Sequence, residues 1–156
     1  MKVKWDTYFH NICEIVAQKS PCLSRQIGAI LVKDRVVVAT GYNGPPRGCM
    51  HCAERSSTEG VCPRKVMGYK SGQGLEYCPA VHAEMNAVVA AARNGVSVKG
   101  ATLYMNCVVP CKQCLGILIN AGVAEIVVDD DTPYDSLSVS FYGSDSMPRI
   151  RTFGGD

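Results

Sequence analysis

An α/β layer fold is predicted by three features of this 156-residue sequence. Apolar residues recur at helical spacing in three separate stretches. Short β-branched runs lie between them. After an opening helix the pieces follow the order strand, strand, helix, strand, helix, strand, and strand–helix–strand units favour parallel pairing late in the chain. With 47% hydrophobic residues, the chain has enough apolar side chains to cover a sheet. A domain of this size buries about 68–70% of the surface its unfolded chain exposes.

Each element has its own signals. Trp5, Tyr8, Phe9, Ile12, Ile15 and Val16 share one helical face, which predicts a helix over 5–19 ended by Pro21. Gln26–Val32 and Arg35–Thr40 read as a hairpin joined through Lys33-Asp34. Gly41-Tyr42-Asn43-Gly44-Pro45-Pro46 is turn-like. Residues 47–79 show no periodicity and are rich in Gly, Cys and charge. So long a segment without regular structure needs something to hold it. Pro79 sits at the expected first turn of a second helix, Val81–Arg93, which Asn94-Gly95 stops. Ala101–Asn106 reads as a strand, Cys111–Ala121 as a helix between Pro110 and Gly122, and Glu125–Asp129 as a further strand. Leu137–Tyr142 is expected as a short helix or turn, and Arg149–Thr152 as an edge strand.

Composition excludes several classes of function. No apolar run approaches the ~20 residues of a membrane span. Met1-Lys2-Val3-Lys4-Trp5-Asp6 lacks the apolar stretch of a signal peptide, so a cytoplasmic protein without a membrane partner is expected. The formal charge is +2, with Lys and Arg scattered, so no stable nucleic-acid complex is expected. Nine cysteines are many for such a chain. In a reducing compartment that density points to metal rather than disulfides.

The chemistry concentrates in two pieces, His82-Ala83-Glu84 and Pro110-Cys111-Lys112-Gln113-Cys114, each at the start of a predicted helix. Two cysteines spaced this way at a helix start can direct both sulfurs at one point, where the helix dipole favours thiolate. His82 supplies a third ligand. Three protein ligands leave a tetrahedral zinc one open position for water, whose pKa the metal lowers. Glu84 then has the position of a proton carrier beside that water. This two-part pattern marks the zinc deaminases of nucleobases.

These pieces resemble the cytidine and deoxycytidylate deaminase superfamily, and within it the deoxycytidylate deaminases. The likeness runs from about Trp5 to Asp135. It includes Val81-His82-Ala83-Glu84-Met85-Asn86-Ala87 and Pro110-Cys111-Lys112-Gln113-Cys114. It also includes Gly28-Ala29-Ile30-Leu31-Val32 and Gly41-Tyr42-Asn43-Gly44-Pro45-Pro46-Arg47-Gly48. Relatives that act on purines or tRNA adenosine share the first two pieces but lack the Gly-Tyr-Asn-Gly stretch and the cysteine-rich insert. The resemblance implies a three-layer α/β/α fold with a central mixed five-stranded sheet. It implies a single domain over 1–156 with a zinc-binding insert at about 47–79.

The implied activity is hydrolysis of dCMP to dUMP and ammonia, which supplies dUMP for thymidylate synthesis. Zinc hydroxide would attack C4 of cytosine with Glu84 as proton shuttle, on a catalytic zinc held by His82, Cys111 and Cys114. The alternatives are a deaminase of cytidine, guanine or tRNA adenosine, or a non-catalytic zinc-stabilised binding module. A structural zinc is implied at Cys22, Cys52, Cys62 and Cys78, with Cys62 chosen over His51 and Cys49. Cys13 and Cys107 read as buried small hydrophobes. Asn43 and Tyr134 are implied substrate contacts. Asn43 also reads as a turn former, and Tyr134 as a surface tyrosine. For a phosphate, Ser24, Arg25, Arg47 and Lys112 are candidates by neighbourhood. The resemblance further implies dCTP with Mg²⁺ as activator and dTTP as inhibitor, acting near Gly41, Tyr42, Gly44 and Arg47. It also implies a homo-oligomer, a hexamer rather than a dimer.

Overall fold

The computed structural model describes residues 1–135 and 137–154; the last two residues of the expected 1–156 domain lie outside it. Helix α1 (Trp5–Ala17) leads into strands β1 (Gly28–Lys33) and β2 (Val36–Tyr42). The segment that follows carries two four-residue helices, α2 (Cys52–Arg55) and α3 (Pro63–Val66), and a 3₁₀ turn over Leu75–Tyr77. Then come α4 (Ala83–Arg93), β3 (Thr102–Met105), β4 (Val108–Val109), α5 (Lys112–Asn120), β5 (Glu125–Val128) and β6 (Asp130–Pro133). A four-residue α6 (Gly143–Ser146) and β7 (Arg149–Thr152) close the described chain.

The main sheet has five strands in the order β2-β1-β3-β5-β7. β1 pairs antiparallel with β2 and β3, whereas β3–β5 and β5–β7 are parallel. This is the expected mixed five-stranded sheet, and it is covered on both faces. Strand alternation divides the core. Ile30, Val32, Tyr104 and Val127 face Phe9 and Cys13 of α1. Ala29, Leu31, Leu103, Met105, Ile126 and Val128 face Ala83, Ala87 and Ala91 of α4 and Leu115 and Leu118 of α5. Period-2 alternation in apolar runs is what buries both faces of a sheet. Among the described residues no helix is long and apolar enough to cross a membrane.

Several boundaries differ from expectation, each for a local reason. The hairpin turn falls on Asp34 and Arg35, whose φ values of 51° and 62° are both left-handed. Such a pair is what a two-residue turn between twisted strands requires, so the connector is one residue later than Lys33-Asp34. α1 ends at Ala17 rather than at residue 19. α4 starts at Ala83, so Pro79 is not in its first turn. Val81 is held extended by a backbone bridge to Gly44, with N–H···O distances of 2.8 and 3.1 Å in the two directions. Residues 137–142 form turns, and the short helix comes after them. β4 and β6 pair in parallel beyond the ends of β3 and β5.

A partly buried ion pair ties the two ends of the fold. Asp6 is 2% exposed and accepts two hydrogen bonds from Arg151, at 2.6 and 3.0 Å, and one from the Gly154 N–H at 2.9 Å. Arg151 also donates to Glu125 at 3.0 Å. Together these contacts fix α1 against the β5–β7 edge.

Helices approach the sheet closely at two glycines. A Cβ on Gly28 would lie 2.2 Å from the Cys13 carbonyl oxygen. A Cβ on Gly41 would lie 2.3 Å from the Ala83 carbonyl oxygen and 2.3 Å from the Ala87 nitrogen. Backbone stands against backbone there, so no side-chain rotation relieves the clash. Gly41→Ala should therefore cost about 1–3 kcal/mol and displace the start of α4. A chemical-denaturation midpoint compared with wild type tests this, and an unchanged midpoint would contradict the close approach.

Candidate metal and catalytic site

His82 is the N-cap residue of α4 and Cys111 the N-cap residue of α5. Cys114 lies in the first turn of α5. Both helices lie on one face of the sheet and pack against each other. Their starts therefore meet beyond the C-terminal end of β3, the end of a parallel strand where α/β sheets bind ligands. His82 Nδ1 is 3.6 Å from Cys111 Sγ and 3.4 Å from Cys114 Sγ. All three donor atoms lie within 4.8 Å of one another. Around a tetrahedral zinc, sulfur at about 2.3 Å and nitrogen at about 2.0 Å stand roughly 3.5 Å apart. The observed edges match that figure, so this donor set fits zinc.

The electrostatics agree with the geometry. Hydrogen bonding from Cys114 and then His82 pulls the Cys111 thiol down to about 4, against the opposing effect of burial. Sharing with Cys111, followed by burial and the nearby Glu84, pushes Cys114 up. Without metal, one thiolate is thus held by a neighbouring thiol. The hydrogen bond with Cys111 raises His82. Glu84, in the first turn of α4, is 4% exposed, and burial raises its carboxyl above the usual carboxylate range. A buried carboxyl tuned upward is suited to taking and returning a proton near neutral pH.

All of these groups except the fully buried Cys114 lie on a cavity of about 360 Å³, within the usual range for small-molecule sites. His82, Glu84, Cys111, Asn43, Tyr134, Ser24 and Arg25 line it, as do Cys22 and Cys78. The Tyr134 and His82 rings meet edge to face, with centroids 6.4 Å apart. Asn43 is 8% exposed. Its Oδ1 accepts from the Ile27 N–H at 2.8 Å and the Ser20 hydroxyl at 2.7 Å. Its Nδ2 donates to the Arg25 carbonyl at 2.8 Å. Asn43 therefore orders the 25–27 segment, and one amide hydrogen remains for a ligand.

Not every expected residue reaches the cavity. Gly41, Tyr42, Gly44 and Arg47 are not among its lining. Tyr42 and Arg47 are exposed, while Gly41 is buried against the α4 backbone and Gly44 against the Pro21 ring. Lys112 borders an adjoining depression with Asp135, and its Nζ lies over the Phe141 ring. Cys22, Cys62 and Cys78 gather near enough to Cys52 to raise its thiol, although burial raises it more. Within 4.8 Å, however, the described residues group only His82 with Cys111 and Cys114, and His10 with Glu14 and Asp129. Arg64 and Lys65 of α3 also line the cavity. Sequence reasoning did not find them, because a four-residue helix carries no periodic signal.

Residues 3–129 match the family model of the cytidine and deoxycytidylate deaminase zinc-binding region. The chain belongs to this family, and zinc binding is the property that defines the matched region. It is 38% identical over 128 residues to a deoxycytidylate deaminase of Mycobacterium phage D29, covering 79% of this chain and 92% of that protein. It is 37% identical over 136 residues to a deoxycytidylate deaminase of Schizosaccharomyces pombe, covering 87% of this chain. The chain spans only 40% of that fission-yeast protein and 41% of its Saccharomyces cerevisiae counterpart. The dCMP deaminase of cyanophage S-TIM5, solved with dCMP and dUMP, has the same fold. That comparison has a TM-score of 0.73 at 23% identity and covers 98% of this chain and 99% of that one.

The protonation pattern has a measurable consequence. A metal taken up by this candidate donor set would have to displace the protons held on Cys114 and His82. Because His82 is shifted upward, its protonated form persists to higher pH than in free imidazole. Zinc affinity should therefore fall as pH is lowered through the neutral range, with protons released on binding. Calorimetric titration of metal-free protein in buffers of different ionisation enthalpy reads this directly. A pH-independent affinity would contradict the protonated starting state.

Proposed function

We propose that this chain is a cytoplasmic zinc-dependent deoxycytidylate deaminase, which hydrolyses dCMP to dUMP and ammonia and supplies dUMP for thymidylate synthesis. The observation that carries the reaction type is the roughly tetrahedral set of His82, Cys111 and Cys114 with buried Glu84 beside it. The phage D29 relative, matched over 92% of its length, supports dCMP as the substrate. All nine cysteines are free thiols, which suits a reducing compartment.

When bound by His82, Cys111 and Cys114, zinc supplies the Lewis acid that makes water nucleophilic near neutral pH. The protein groups do the rest. Glu84 accepts a proton from the attacking water and delivers it to N3 of the cytosine ring. Glu84 then takes the proton of the new C4 hydroxyl and passes it to the C4 amino group, which leaves as ammonia while C4=O forms. The raised pKa of its carboxyl lets it hold that proton between the two transfers. Tyr134 closes the cavity beside His82, and the free amide hydrogen of Asn43 meets the sugar. Ser24 and Arg25 lie on the same wall and suit the nucleotide's polar end.

The whole 1–156 chain acts in this reading as one deaminase domain whose insert at 47–79 is held by a second zinc on Cys22, Cys52, Cys62 and Cys78. The nearness of Cys62, Cys22 and Cys78 to Cys52, felt in the rise of its thiol, supports the assignment. A metal crosslink would offset the ordering entropy of a segment with few large buried side chains. A hexamer activated by dCTP with Mg²⁺ and inhibited by dTTP completes the proposal, with exposed Tyr42 and Arg47 available for effector contacts.

Ammonia release is expected from dCMP, and not from cytidine, guanine or tRNA, with a rise when dCTP and Mg²⁺ are added. Turnover of another of these bases in place of dCMP would reassign the substrate. Glu84→Gln should keep bound zinc and lower kcat by about 100- to 10,000-fold, measured by ammonia release beside elemental analysis. Elemental analysis of wild type should count two zinc ions per chain; a single ion would remove the structural site.

A further inference from the structure

One wall of the cavity is not explained by the zinc ligands or by Glu84. The short helix α3 brings Arg64 and Lys65 from the cysteine-rich insert onto it, where they join Arg25. Three cationic side chains thus line a cavity whose lining includes one carboxylate, Glu84. Arg64 is the most enclosed of the three: it is half-buried, whereas Arg25 and Lys65 are exposed. It takes part in none of the ion pairs among the described residues. One N–H donates to the Gln73 carbonyl, which fixes how the guanidinium is turned. Its Nε is shut off from solvent and has no acceptor.

A guanidinium whose Nε is closed to solvent has given up water there without gaining a counter-ion. That is costly unless an anion arrives to meet it. Its charge is felt at Tyr134, where it opposes the upward shift caused mainly by burial. Tyr134 in turn sits against the ring of His82. Arg64 therefore belongs to the same cavity as the metal ligands, reached from the insert side.

We propose that Arg64 is a specificity-determining residue that binds the 5′-phosphate of the substrate and makes the site prefer a nucleoside monophosphate to the free nucleoside. This rests on reading the site as a deoxycytidylate deaminase. A planar guanidinium offers paired donors to phosphate oxygens, which a lysine cannot reproduce. Arg25 and Lys65 add charge, but being exposed they act through solvent and contribute less. The insert then has a chemical task, since it carries the group that recognises the end of the substrate farthest from the reacting ring.

Arg64→Ala and Arg64→Lys should be assayed on dCMP and on deoxycytidine, with bound zinc measured in each. The ratio of kcat/KM for dCMP to that for deoxycytidine should fall about 10- to 100-fold in Arg64→Ala, mostly through KM. Arg64→Lys should recover part of it. Competitive inhibition by dUMP should weaken by a similar factor relative to inhibition by deoxyuridine, a comparison that does not need turnover of the free nucleoside. A parallel loss on both members of each pair would mean that Arg64 only orders the insert, and overturns the proposal. So would an unchanged preference for the phosphorylated partner. Failure of the wild-type protein to deaminate dCMP would instead count against the functional reading beneath it.

Discussion

The starts of α4 and α5 must hold three donor atoms at the spacing one metal ion needs, with bond lengths kept within about 0.2 Å. Everything else in the molecule can be related to that requirement. The ligands come from N-cap and first-turn positions, where backbone direction sets side-chain direction most firmly. Holding them means holding two helices on one sheet face. Small residues do this on α4: Ala83, Ala87 and Ala91 are all buried, and Gly41 lets β2 approach their backbone directly. Leu115 and Leu118 anchor α5 from the other side. The Gly44–Val81 bridge then sets where α4 starts, and so where His82 points. The Gly-Tyr-Asn-Gly stretch in this sense positions the candidate metal site from outside its donor set.

The same arrangement concentrates charge that only a cation can balance. The two sulfurs lie within 4.8 Å of each other, and Glu84, almost fully buried, shares a hydrogen bond with Cys114. Two helix N-termini offset part of this through their unpaired N–H groups and dipoles. The rest appears as opposed shifts: Cys111 moves down, whereas Cys114 and Glu84 move up. A divalent ion would relieve the competition between the thiols and leave Glu84 as the group still poised to exchange a proton. The candidate ligands and the proposed proton carrier are thus separated by environment, although they crowd one site.

Much of this was legible in the sequence, because the informative residues act locally. Gly95 and Gly122 stop helices through their own left-handed conformations, with φ of 69° and 81°. The two metal-ligand pieces carry their spacing on their face. The individual strands followed from short β-branched runs, and the mixed five-stranded sheet from the family resemblance. What stayed hidden depends on distant partners. β4 is two residues long and β6 reads Asp-Asp-Thr-Pro, with every residue exposed; neither has a pattern of its own, and each exists only because the other lies beside it. Asn43 carries a turn signal, yet its hydrogen bonds reach back to Ser20, Arg25 and Ile27. Arg64 and Lys65 looked like solvated charge in a segment without periodicity.

That segment is where local and distant effects meet. Residues 47–79 contain three short helical turns and few buried side chains, of which Cys52 and Cys62 are two. Such a segment cannot order itself by apolar burial alone. Yet Cys22 and Cys78 sit on the cavity lining together with Arg64, Lys65 and Leu75. Whatever pulls the cysteines together therefore also sets the position of the cavity's cationic wall. Cys62 is the N-cap of α3, immediately before Pro63 and Arg64, so a shift at this thiol is transmitted to the guanidinium within two residues. The proposed crosslink at the cysteines and the proposed recognition at the arginine are then two consequences of one placement. The reacting end of the cavity depends on how two helices pack, and the recognising end depends on how an insert with little core of its own is held.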